Sequence, residues 1–263
     1  MPGLFGLHPL RGLYRVRALH RLCRVYRVCQ LLRATKCRRR QKYSCSAHYV
    51  SDQARGQRES AITCGAALWV VGGVGYLLLE AFAAAGYRPH YSYADNYISD
   101  LGVTGPRTQV MHAAFWLHGT LFLLGALFIA GRPVDRRTSM FVGMAAANAV
   151  GNIVVATVHS GKVHVAGAAL AIVGGNAAIL AGSALIRPSR RWYRNTSKFV
   201  GVIGFSSLVM LVIDSATTTI NVLPSGVWER GSVYSITLWQ LLTAAALLTD
   251  ARRRTERATI TFR

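Results

Sequence analysis

The sequence predicts an all-α polytopic membrane protein, a bundle of six transmembrane helices behind a basic N-terminal leader. Three observations carry this. Six apolar stretches each run to roughly 20 residues, the length that crosses a ~30 Å hydrocarbon core at a rise of ~1.5 Å per residue. The 31 Lys and Arg lie almost wholly outside those stretches. The period-two alternation of a membrane barrel is missing, so the helix is the element that can satisfy its own backbone in lipid.

The leader comes first. Residues 1–61 hold fourteen Lys/Arg against two acids, Asp52 and Glu59. The segment Leu13–Leu32 mixes apolar residues with Arg15, Arg17, Arg21, Arg24 and Arg27. Arg17, Arg21 and Arg24 share a helical face, which suits a basic amphipathic helix on anionic lipid. A disordered leader that only sets orientation is the plainer reading, and a start codon farther downstream, with much of this segment never made, is a third. No clean apolar core or small-residue cleavage site marks a secretory signal. Cys23, Cys29, Cys37, Cys45 and Cys64 include no Cys-x-x-Cys pair and avoid the predicted outward loops, so no disulfide framework is expected. The net charge of +21 flanks apolar spans, a membrane pattern rather than a nucleic-acid footprint.

A six-span domain follows over residues 62–250, with a basic tail at 251–263. The spans are expected at Ile62–Gly86, Thr108–Ala130, Thr138–Val158, His164–Ile186, Phe199–Ile220 and Trp228–Leu248. Their flanks set the orientation. The leader, the second–third turn, the fourth–fifth turn and the tail together carry 27 Lys/Arg; the opposite side carries four, Arg88, Arg107, Lys162 and Arg230. The positive-inside rule therefore places both termini in the cytoplasm of a cell-membrane protein. A cysteine at Ser160, in a background without the native cysteines, should label from outside intact cells, and one at Ser189 should not. The reverse pattern would invert the topology.

In this orientation the polar residues of the spans gather in the outward half. Glu80 is about 9 Å below the outer end of the first span, His112 about 6 Å and His118 about 15 Å deep in the second, counting ~1.5 Å per residue. Asn152 in the third span and Asp214 in the fifth are each about 9 Å deep on the same ruler. His159 closes the third span, His164 opens the fourth, and Glu229 and Arg230 open the sixth. Ionisable groups in hydrocarbon cost about 2.5–3.5 kcal/mol each even on insertion scales, so they are expected to share one solvated or mutually paired pocket. The Tyr87–Arg107 loop is expected to roof it. Its four tyrosines suit a membrane interface, and Asp95, Asn96, Ser99 and Asp100 suit turn capping.

The run Asn96-Tyr97-Ile98-Ser99-Asp100-Leu101-Gly102 resembles a bacterial family of multi-span membrane proteins, domain of unknown function 998. That family carries an Ile-Ser-Asp/Glu-Leu-Gly motif after its first span. His118-Gly119, His159…His164-x-x-Gly167 and Glu229-Arg230-Gly231 are further echoes. The likeness covers about residues 62–250. It implies a six-helix membrane domain and no particular activity.

Several function classes stay open on the residues. A pocket of Glu80, Asn96, His112, His118, Asn152, Glu229 and Arg230 suits binding or transport of a lipid or a cation. A metal-dependent hydrolase of outer-leaflet lipid would take His159, His164 and Asp214 as zinc ligands, leaving an open position for water. Ser99 and Asp100 would then polarise substrate or move protons. Against it, no His-x-x-x-His or His-Glu-x-x-His spacing is present. A haem carrier would need His118 to face a second histidine across the bundle. A structural bundle whose polar groups satisfy one another is the remaining reading. Nucleotide-binding motifs are missing.

Overall fold

The computed structural model describes residues 44–88, 90–187, 190–217 and 223–260. The chain divides into two units between Gly56 and Gln57, and the contacts below belong to the second. The amphipathic segment Leu13–Leu32 lies outside the described residues.

Seven helices account for the described secondary structure: α1 (Ser44–Ala84), α2 (Asp100–Val103), α3 (Thr108–Ala130), α4 (Arg136–Thr157), α5 (Gly161–Leu185), α6 (Arg191–Ala216) and α7 (Ser225–Ile260). All but the one-turn α2 are long and apolar enough to cross a membrane, six in number as the hydropathy predicts. Large apolar side chains such as Leu78, Val165 and Phe199 stand on the outer surface of the bundle, the arrangement lipid requires. The chain is a polytopic helical membrane protein. Three helices outrun the predicted spans by two turns or more: α1 begins before Ile62, α6 begins at Arg191 rather than Phe199, and α7 continues beyond Leu248 to Ile260. Hydropathy marks where lipid ends, whereas Arg, Gln and Glu sustain a helix past that boundary.

Helix ends follow local chemistry. The Asp135 carboxylate accepts the Arg137 and Thr138 N–H groups at 2.9 and 3.0 Å and so caps α4. Those bonds, with the Thr138 hydroxyl first among them, hold its pKa below the ordinary carboxylate value. At the end of α3, Gly131 takes φ +79°, and Arg58 Nη2 donates to the carbonyls of Ile129 and Ala130 at 2.8 and 3.2 Å.

From α3 onward consecutive spans pack side by side, and α7 also lies against α5; α1 meets α3 where Trp69 Nε1 donates to the Phe122 carbonyl. The bundle closes where Gln240 Nε2 of α7 donates to the Trp69 carbonyl of α1 at 2.9 Å. Lipid tails are as apolar as leucine, so close backbone approach rather than hydrophobic transfer must hold such a bundle. At Gly151 a Cβ would stand 2.3 Å from the Ala171 nitrogen and 2.5 Å from the Gly167 carbonyl, which brings α4 and α5 into backbone contact. One end of the interior is aromatic. Trp69 stacks on Phe122 with centroids 5.6 Å apart and meets Trp239 at 5.3 Å. Both indole N–H groups are satisfied, by the Phe122 carbonyl and by Ser197 Oγ, each at 2.9 Å.

Candidate functional site

The other end of the interior is polar, and the loop after α1 reaches into it. Ile98 and Leu101 of the Ile-Ser-Asp-Leu-Gly run are each 1% exposed, so the loop is anchored by its apolar residues. Its polar ones shape the turn. Asn96 Oδ1 accepts from Ser92 N, and Asp100 Oδ2 accepts from Tyr97 N, both at 2.9 Å. The Gly102 carbonyl meets His112 Nε2 at 2.7 Å. Asp100 and Asn96 therefore act as turn caps, as their residue types allow.

Two successive residues at the start of α7 hold this loop. Glu229 accepts the Ile98 N–H through Oε2. Arg230 Nη1 donates to the carbonyls of Tyr93 and Asn96, at 2.7 and 2.8 Å, and to Gly226 O at 3.1 Å. Its Nη2 donates to the Tyr91 hydroxyl and lies 3.6 Å from Glu80 Oε1. The guanidinium also sits over the Tyr91 and Tyr93 rings, 5.3 and 4.9 Å from their centroids. Burial pushes the Tyr91 phenol above its ordinary value against the pull of Arg230. It stays un-ionised and donates a hydrogen bond to the Tyr97 carbonyl at 2.8 Å. Glu80 Oε1 further accepts the Tyr234 hydroxyl at 2.8 Å. The Arg230 and Glu80 side chains are 8% and 2% exposed, so this is a buried ion pair inside a hydrogen-bonded cluster.

Beneath Ile98 and Ser99 lies a cavity of about 40 Å³, larger than the ~10–15 Å³ that one water needs. Its polar wall is Tyr76, His118, Asn148, Asn152, Ser99 and Glu229; Phe115, Val155, Ile172 and Val233 are among its apolar lining. The Tyr76 hydroxyl and Asn148 Oδ1 are buried and have no hydrogen-bond partner among the described residues. The other end of the Asn148 amide is fixed, Nδ2 donating to the Ala171 carbonyl at 2.7 Å. His118 Nε2 lies 3.1 Å from Gln240 Oε1. Because Gln240 Nε2 must donate to the Trp69 carbonyl, Oε1 is the acceptor and His118 Nε2 carries the proton. In the neutral ring this leaves Nδ1 as an acceptor.

The structure thus gathers Glu80, Asn96, Glu229 and Arg230 in the loop cluster, and Ser99, His118, Asn152 and Glu229 at the cavity. It does not gather the expected zinc ligands. His159 is exposed and stacks on His112, with centroids 4.5 Å apart. His164 Nδ1 is taken by the Val158 carbonyl at 2.6 Å, and Asp214 accepts from Ser225. Among the described residues no group of three His, Cys, Asp or Glu side chains could hold a metal ion. Equal depth in the sequence did not imply a common direction: His164 is held by the carbonyl after α4, Asp214 by the first residue of α7 and His159 by the ring of His112 on α3.

Tyr76, Tyr91 and Tyr234 are members of the site that depth counting missed. A periodicity signal was present for two of them. Tyr76 precedes Glu80 by four residues and Tyr234 follows Arg230 by four, so each shares a helical face with a buried charge. No curated protein and no solved structure matches the chain. The family described as "Protein of unknown function (DUF998)" matches residues 70–246, a stretch that contains the loop, both α7 anchors and the whole cavity wall. The match spans more than half of the sequence, and the chain belongs to that family.

Proposed function

We propose that this protein binds a small polar ligand, or the polar head of a lipid, in the cavity beneath the loop. With the basic flanks in the cytoplasm, that loop and cavity face outward across the cell membrane. The observation that carries the reading is the pair of buried, unpartnered polar atoms on one cavity wall, the Tyr76 hydroxyl and Asn148 Oδ1. Leaving a buried polar atom unpaired costs about 1–3 kcal/mol, and a ligand that supplies its hydrogen bond recovers that. A purely structural role fits the Arg230 cluster, most of whose groups satisfy one another. It leaves the Tyr76 hydroxyl and Asn148 Oδ1 to whatever fills the cavity.

Native mass spectrometry of protein released from nanodiscs tests this. The wild type should retain a noncovalent polar adduct or a selected lipid, and Asn148→Leu should lose it while keeping a cooperative thermal transition. The same complement of bound molecules in both proteins would overturn the reading.

A further inference from the structure

The charges around the cavity narrow the ligand class. Glu80 and Arg230 offset each other as an ion pair. Arg230 is committed to that pair, to Tyr91 and to three backbone carbonyls. Glu229 is then left as the charged side chain on the cavity wall, buried and without a cation of its own. A carboxylate held out of water takes up a proton or a positive partner. The other polar atoms on the wall point the same way. Asn148 Oδ1 is an acceptor with no donor, His118 Nδ1 is an acceptor in the neutral ring, and the Tyr76 hydroxyl can accept. Tyr76 and Phe115 present aromatic rings with centroids 6.2 Å apart, surfaces that favour positive charge.

We infer that the cavity takes a primary ammonium group on a short apolar stem. An ammonium brings three N–H donors, one each for Glu229, Asn148 and a third acceptor. A trimethylammonium brings none. The apolar part of the wall, with Val155, Ile172 and Val233, suits the stem. The inference rests on the cavity being a binding site. The shared chemistry has two sources, a free alkylamine and the head of an aminophospholipid.

The full chain in phosphatidylcholine nanodiscs, titrated with ethylammonium chloride, tests it by thermal unfolding. A saturable rise in Tm is expected, absent with equimolar sodium chloride, ethanol or tetramethylammonium chloride. Glu229→Gln keeps an acceptor for the Ile98 N–H and should bind ethylammonium about tenfold more weakly or worse. Replacing part of the lipid with phosphatidylethanolamine separates the sources. A rise in Tm from the lipid alone, with no further gain from ethylammonium, assigns the headgroup; no effect of the lipid assigns a free amine. An equal shift in wild type and Glu229→Gln, or an equal shift with sodium, overturns the inference. If the wild type holds an adduct that Asn148→Leu loses, yet ethylammonium and the aminophospholipid do nothing, the site stands and the ammonium assignment falls. If there is no such adduct either, both fall.

Discussion

Arg230→Met should destabilise the solubilised protein by about 3–5 kcal/mol, the range for removing one partner of a buried ion pair. The loss has two parts. Glu80 would be stranded without its cation in a site where the side chain is 2% exposed, with the Tyr234 hydroxyl as its remaining partner, and either an unpaired charge or the uptake of a proton costs stability. The loop would lose its main tie, since Arg230 is the donor to the Tyr93 and Asn96 carbonyls. The two parts separate experimentally. Adding Glu80→Gln removes the stranded charge and should recover about half of the lost stability, because an amide still accepts from Tyr234. It should not restore the loop, so limited proteolysis within residues 91–103 should stay fast in the double variant and slow in the wild type. Full recovery of both would mean that Arg230 serves only to neutralise Glu80. Full stability in Arg230→Met alone would mean that the pair is not buried in the protein's membrane form.

Spans and loops could be read from the sequence because lipid is a demanding solvent. A run such as Thr108–Ala130 has one structural option, and α3 has those bounds. Depth was legible for the same reason: Glu80 and Arg230 do meet as an ion pair, and Glu229 meets the Ile98 N–H of the loop. Direction around each helix was not. Depth fixes position along an axis, whereas partnership depends on rotation about it, and a helix turns about 100° per residue. His118 shows the difference. It is deeper than His112, and its ring faces Gln240 and the cavity, while His112 turns to the Gly102 carbonyl and the His159 ring. The zinc trio failed on the same point. Glu229 and Arg230 were legible as a pair because they open a helix; their targets were not, because the Tyr93 and Asn96 contacts are to backbone carbonyls, which every residue has. The Asn148 and Gln240 contacts required the fold itself: Asn148 of α4 meets Ala171 of α5, and Gln240 of α7 meets Trp69 of α1 and His118 of α3.

Gly151→Ala should destabilise the bundle by about 1–3 kcal/mol, the usual cost of forcing a methyl into filled space. The matched Gly143→Ala should be neutral or stabilising by up to about 1 kcal/mol, from helix propensity alone. Both glycines lie in α4, so the propensity gain is common to the two and cancels in the comparison. What differs is the neighbour. A Cβ at Gly143 meets nothing within 4 Å. A Cβ at Gly151 meets the Ala171 nitrogen at 2.3 Å, its Cα at 2.7 Å and the Gly167 carbonyl at 2.5 Å. These are backbone atoms of α5 and cannot step aside as a flexible side-chain end can, so relief requires the helices to part. Parting them acts on the site as well, because Asn148 and Asn152 on α4 and Ala171 and Ile172 on α5 share the cavity wall. The Asn148 Nδ2 bond to the Ala171 carbonyl would lengthen with the separation. Gly151→Ala should therefore lower both Tm and retention of the bound adduct, and Gly151→Leu should yield little monodisperse protein. Equal Tm values for the Gly143 and Gly151 alanine variants would show that α4 and α5 do not pack backbone to backbone in the bilayer.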